Sequence, residues 1–231
     1  MPRPVDRSST YLPGLDGVRA IAVVVVFGYH LGVARLPGGL LGVGVFFTLS
    51  GFLITSILLS GWERTREVGL RTFWLRRARR LLPALVMVLL VVLVATVLVD
   101  RDAIGARWWQ SVAAFFYVGN WATIASGESY FDRVNGPGPL DHLWSLAVEE
   151  QFYLVWPLLL LLLVVVLRGN LRAVARATLA LAAVSFVLLW VIAAPGFDNT
   201  RAYEGTDTRA GGPAHRGGRR ARVAAGAYAG V

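Results

Sequence analysis

Six stretches without an Asp, Glu or Arg fill most of the chain up to Phe197. They are Ala20–Ala34 (15 residues), Leu36–Trp62 (27), Leu81–Val99 (19), Trp108–Gly127 (20), Gln151–Leu167 (17) and Ala177–Phe197 (21). A helix needs about 20 apolar residues to cross a hydrocarbon core of about 30 Å. The first stretch approaches that length once Gly17–Arg19 is added. The expected fold is therefore all-α, a polytopic transmembrane helix bundle with about six membrane-embedded segments. Composition agrees: 56% of residues are hydrophobic and only 16% charged, where a soluble domain has about a quarter charged. Arg19 and His30 interrupt the first segment and five more follow, so it reads as a retained helix rather than a cleaved signal. The chain has no Cys. That excludes a disulfide scaffold, a thiolate zinc site, an iron–sulfur cluster and a cysteine nucleophile.

Arginine sets the expected orientation. All 23 basic residues are Arg, and the net charge is +9. Arg64, Arg66, Arg71, Arg76, Arg77, Arg79 and Arg80 face only Glu63 and Glu67 between the second and third segments. Such a loop belongs on the cytoplasmic side, and the N-terminus with Arg3 and Arg7 belongs there too. If all six segments cross, the loop with Arg168, Arg172 and Arg176 falls outside and the acidic stretch Glu128–Asp141 inside. If Trp108–Gly127 dips in without crossing, both fall on the expected sides; its Gln110, Ser111, Asn120 and Thr123 suit that course. The sequence leaves both courses open.

Polar residues inside such segments are costly and mark function. Arg19 and His30 are eleven residues apart, three helical turns plus about 20°, so they share a face, about 16 Å apart along the axis. His30 is either a proton-transfer base in a substrate cavity or a helix-packing donor; Arg19 alone would be an interfacial cation. The second segment is rich in Gly, Ser and Thr over Gly44–Leu53, a pattern of close helix packing. The run Phe73–Pro83 carries Arg76, Arg77, Arg79 and Arg80. Such guanidiniums bind a ligand's phosphate or lipid headgroups, or serve topology alone. The fifth segment opens with His142, Glu149, Glu150 and Gln151, an interfacial charged cap or part of a polar cavity.

These pieces together resemble the acyltransferase-3 family of bacterial multi-spanning membrane O-acyltransferases. The matching pieces are Leu12–Ala20, Arg19 with ten residues before His30, Gly44–Thr55, the Arg-x-x-Arg-Leu-x-Pro run ending at Pro83, and Trp144–Tyr153. The resemblance covers Tyr11 to about Ala210. It implies transfer of an acyl group, commonly acetyl, from acyl-CoA to a hydroxyl of a carbohydrate or cell-envelope glycan in the bacterial inner membrane. It also implies that His30 is the essential base with Arg19 as its partner, and that Arg77 and Arg80, with Arg76 beside them, hold the donor's phosphates. Chemistry fits these roles. The acceptor hydroxyl must lose its proton as it attacks the thioester, and His30 is placed to accept it. Arg19 is a candidate donor to the oxyanion. Glu149 or Glu150 would orient the imidazole or bind sugar hydroxyls.

The family has more spans than are counted here. Residues 1–210 are expected to form its transmembrane domain, C-terminally incomplete. Residues 211–231 turn into a Gly, Ala and Arg tract of low complexity, read as disordered or as a shifted reading frame. An inactive truncated acyltransferase and a transporter or flippase fragment are the rival functions. The latter is disfavoured by the lack of an internal repeat. Nucleic-acid binding is not expected, because the positive charge sits in loops and tail with no nucleic-acid fold beside it.

Overall fold

A computed structural model of the chain describes residues 13–30, 41–65, 69–129, 138–193 and 198–211. Its helices are α1 (Pro13–His30), α2 (Leu41–Thr65), α3 (Leu70–Val99), α4 (Ile104–Phe115), α5 (Gly119–Ser126), α6 (Leu143–Val166), α7 (Leu171–Ile192), α8 (Thr200–Glu204) and α9 (Thr206–Arg209). No strand occurs among the described residues, and the all-α bundle is as expected. The tract expected to be disordered lies outside the described residues, apart from Gly211.

Among the described residues, fewer helices can span a membrane than the six embedded segments expected. Four described helices are long and apolar enough to cross a membrane: Gly42–Trp62 of α2, then α3, α6 and α7. Two segments account for the difference. α1 carries Asp16, Arg19 and His30 within 18 residues. Trp108–Gly127 is not one helix but parts of two, α4 of 12 residues and α5 of 8. At 1.5 Å per residue these are only about 18 and 12 Å long. The chain reverses between them at Tyr117, whose φ is 55°. α4 packs back along α3, and α5 against α6.

Helix directions follow from paired contacts. α2 and α6 run parallel: Phe47 packs edge-on against Trp144, Ser50 donates to Glu149, and Trp156 Nε1 donates to Thr55 Oγ1 at 2.9 Å. α3 runs antiparallel to α6: Trp74 Nε1 meets the Tyr153 carbonyl, Arg77 meets Glu150, and Leu85 and Leu89 cluster with Leu140, Leu143 and Leu146. α7 returns beside α6 after a short turn. There Arg168 adopts a left-handed φ of 51°, Gly169 N donates to Val164 O at 2.8 Å, and the Asn170 side chain caps Ala173 N at 3.1 Å. This is a helix stop followed at once by a helix start. α1 runs antiparallel to α2. Gly42 fits against it closely: a Cβ there would lie 2.9 Å from the Ala22 carbonyl oxygen.

The ends of α2 and α6 and the starts of α3 and α7 therefore share one end of the bundle. Trp62, Leu70, Phe73, Leu163, Leu167 and Leu171 close it over a core of Leu58, Leu59, Trp156, Leu160, Val164 and Val174. The α6–α7 turn with Arg168 lies at that end, and the α4–α5 segment doubles back, so that Ser126 and Glu128 sit beside Ala106 and Trp109 again. Cysteine labelling tests this arrangement cleanly in a chain without Cys. Cysteines at Arg172 and Glu128 should react from opposite faces of the membrane, Arg172→Cys from the cytoplasm. Labelling of both from one face would show that the α4–α5 segment crosses.

Candidate functional site

Apolar side chains line most of α6, yet its second turn carries Glu149, Glu150 and Gln151 in succession. Helical geometry points adjacent residues about 100° apart, so the three side chains reach three different neighbours. Glu149 faces α2, where Ser50 Oγ donates to its Oε1 at 3.0 Å. Glu150 faces α3, where Arg77 Nε donates to its Oε1 at 2.7 Å and Nη2 approaches to 2.5 Å. Arg77 Nη2 also lies 3.9 Å from Glu149 Oε2. One guanidinium thus serves both carboxylates. It also lies 3.3 Å from the centroid of the Tyr153 ring, one turn further along α6, a close cation–π contact. Trp74, one turn before Arg77, fixes this register through its bond to the Tyr153 carbonyl at 3.0 Å.

Gln151 faces the α4–α5 reversal. Its Nε2 donates to the Tyr117 carbonyl at 2.6 Å and to Asn120 Oδ1 at 2.9 Å. Its Oε1 accepts from Thr206 Oγ1 at 2.5 Å and Trp121 Nε1 at 3.1 Å. Asn120, fully buried, passes the network on to the Glu204 carbonyl. Trp74, Arg77, Tyr117, Glu150, Gln151 and Tyr153 line a cavity of about 240 Å³. The Glu150 carboxylate, a guanidinium and an amide around such a space, with Glu149 one position away on α6, can bind and orient hydroxyl-bearing or charged groups.

The sequence candidates divide between two heights of the bundle. Glu149, Glu150 and Arg77 meet directly. Arg19 is half-buried and near enough to Glu149 for its charge to act on that carboxylate. With Ala22 against Gly42, Arg19 stands about 8 Å from Ser50 along the helix axes. His30 ends α1, and its backbone stands about 24 Å from Ser50 in the same direction; its side chain lies outside the described set. Arg76 and Arg80 are exposed, as is Arg79, so the structure does not bring Arg77 and Arg80 together on one partner. Sequence reasoning did not assign roles to Ser50, Trp74, Tyr117, Asn120, Tyr153 and Thr206. Gln151, beside the two carboxylates, carried a signal, because amides are rare at the mouth of an apolar run, and Asn120 carried one as a polar residue within an apolar stretch.

Removing Arg77 leaves two half-buried carboxylates without their cation. Arg77→Met should lower stability by about 3 kcal/mol, or somewhat less because its side chain is 24% exposed. Unfolding in detergent measures this, and adding Glu150→Gln should recover a large part of the loss. Equal instability of the single and double variants would show that the ion pair is not the cause.

Comparison with known proteins agrees with this architecture. The family model described as an acyltransferase domain, acyltransferase family 3, matches residues 12–206. The peptidoglycan O-acetyltransferase OatA of Listeria monocytogenes is 43% identical over 210 residues, 91% of this chain and 34% of the relative. The YrhL protein of Bacillus subtilis, provisionally named a peptidoglycan O-acetyltransferase, is 44% identical over 86% of this chain and 31% of its own length. A Staphylococcus aureus protein provisionally named an O-acetyltransferase is 44% identical over 86% of this chain and 33% of its own. The chain thus spans about a third of the length of the curated relatives it matches. No solved structure gives a significant match. With the family model covering most of its length and the same helices carrying the matched motifs, the chain belongs to the acyltransferase-3 family.

Proposed function

We propose that this chain is the membrane part of an O-acyltransferase that places an acyl group, acetyl by the names of its relatives, on a hydroxyl of peptidoglycan or a related cell-envelope glycan. The observation that carries the reading is the Glu149–Glu150–Arg77 cluster beside its cavity. A chain that only anchors has no reason to place two half-buried carboxylates between apolar helices. In this reading the arginine-rich end faces the cytoplasm of the bacterial inner membrane, and the N-terminus is cytoplasmic. Acyl-CoA is the donor. Its phosphates meet Arg77 and Arg80, with Arg76 nearby, and its thioester is carried toward His30. The long arm between phosphates and thioester of coenzyme A suits the axial separation of the arginine cluster and His30. His30 takes the proton from the acceptor hydroxyl as the C–O bond forms, and Arg19 steadies the oxyanion. Collapse of that intermediate expels the coenzyme A thiolate. Glu149 and Glu150 hold Arg77 in place and offer acceptors to sugar hydroxyls.

The test is acetyl-CoA-dependent acetylation of peptidoglycan by membranes containing the protein. His30→Ala should lower the rate by about 10²–10⁴-fold, the usual worth of a general base, with protein level and acetyl-CoA binding retained. Near-normal transfer by His30→Ala would remove the base assignment. Transfer that does not depend on acetyl-CoA would remove the donor assignment.

A further inference from the structure

Several arginines of the described helices are half-buried, and two of them, Arg77 and Arg201, form ion pairs with carboxylates. Arg77 serves Glu149 and Glu150. Arg201 forks onto Asp207, with Nη1 to Oδ1 at 2.9 Å and Nη2 to Oδ2 at 2.7 Å. Arg209 has no carboxylate partner among the described residues. Its Nε donates to the Tyr203 carbonyl at 2.7 Å, and its guanidinium lies 4.5 Å from the centroid of the Tyr203 ring. That uses one of its five donors. Burial pushes its pKa down, and Tyr203 opposes the shift in part.

Arg209 and Thr208 form one wall of a cavity of about 330 Å³ between α1, α2, α7 and α9. The other walls are mostly apolar: Val18, Val45, Phe47, Leu49, Phe186 and Leu189. A half-buried guanidinium beside such walls is costly until an anion meets it. Its planar fork fits two oxygens of a phosphate. The apolar walls favour an anion that carries a chain over a small hydrated ion. We propose that this cavity binds the phosphate of an amphiphile, with Arg209 as its anchor and α2 and α7 holding the attached chain. Leu49 lines it, and the next residue, Ser50, holds Glu149. An occupant would therefore sit one residue along α2 from the carboxylate cluster. The phosphate belongs either to a phospholipid headgroup or to coenzyme A; only the second source rests on the donor proposed above, and it would put Arg209 in place of Arg77 and Arg80 as the phosphate anchor.

The experiment is thermal unfolding of the 231-residue chain in neutral detergent, titrated separately with phosphatidylglycerol and with coenzyme A. At least one should raise the unfolding temperature saturably. Arg209→Gln should raise the half-saturating concentration by about tenfold or more, and Arg209→Lys should keep part of the response. Gly44 lines the same cavity, and a Cβ there meets nothing within 4 Å. Gly44→Leu should therefore block the site without disturbing Arg209, and it serves if Arg209→Gln fails to fold. A response to phosphatidylglycerol alone identifies a lipid site; a response to coenzyme A alone identifies a donor site. No response to either compound, or an unchanged response in Gly44→Leu, overturns the proposal. These readouts do not depend on catalysis, so failure of glycan acetylation leaves them interpretable.

Discussion

Two adjacent carboxylates cannot enter an apolar helix bundle unless a cation meets them there. That constraint sets the arrangement of α2, α3 and α6. α6 brings Glu149 and Glu150, α3 brings Arg77, and α2 brings the hydroxyl of Ser50. Sliding α3 by one turn would move Arg77 about 5 Å along the axis and leave the charges apart. Apolar contact alone tolerates such a slide, because a stripe of Leu and Val looks alike one turn on. The ion pair therefore supplies register more than net stability. Trp74 reinforces it with a bond to backbone rather than to a side chain.

The same turn of α6 answers a second difficulty. Backbone that leaves a helix at membrane depth exposes carbonyl and amide groups with no water to satisfy them. The reversal between α4 and α5 is such a place, and Gln151 meets it by donating to the Tyr117 carbonyl and to Asn120. Thr206 and Trp121 then satisfy the oxygen of Gln151. A two-sided amide is suited to this work, since it donates and accepts without carrying charge. Three consecutive residues, Glu149, Glu150 and Gln151, thus tie α6 to α2, to α3, and to the α5 and α8–α9 region.

The elements that sequence made legible are those fixed by local pattern. Long charge-free runs became α2, α3, α6 and α7, because burial in lipid needs only length and apolarity. Trp108–Gly127 was ambiguous for a physical reason: its composition fits a span, while its break at Tyr117 depends on Gln151 more than thirty positions away. The site was legible as a set of residue types and not as a set of partners. Glu149 and Glu150 stood out as carboxylates at an apolar run, and Arg77 as part of a basic run. Nothing local says that Arg77, among four neighbouring arginines, is the one turned inward; helix rotation and the position of α6 decide that. Spacing put Arg19 and His30 on one face, yet only the contact of Gly42 with Ala22 shows which end of α1 lies toward Glu149.

The inward arginines also show how one residue type takes different roles according to what faces it. Arg77 is matched by two carboxylates and an aromatic ring, so it is held as a structural cation as well as a site group. Arg201 is matched by one carboxylate, which its hydrogen bonds hold in the ionised form, and it stacks at 5.0 Å over Trp121. That pair closes a short loop from α8 to α9 and holds it against α5. Arg209, six residues after Tyr203, leans on that residue's ring and carbonyl, neither of which carries charge. The three therefore differ in how much positive potential they leave uncancelled. Potential that helices do not cancel internally is what a membrane enzyme has available for a charged substrate or lipid. The balance of carboxylates around each arginine, more than the number of arginines, decides where such a group can bind.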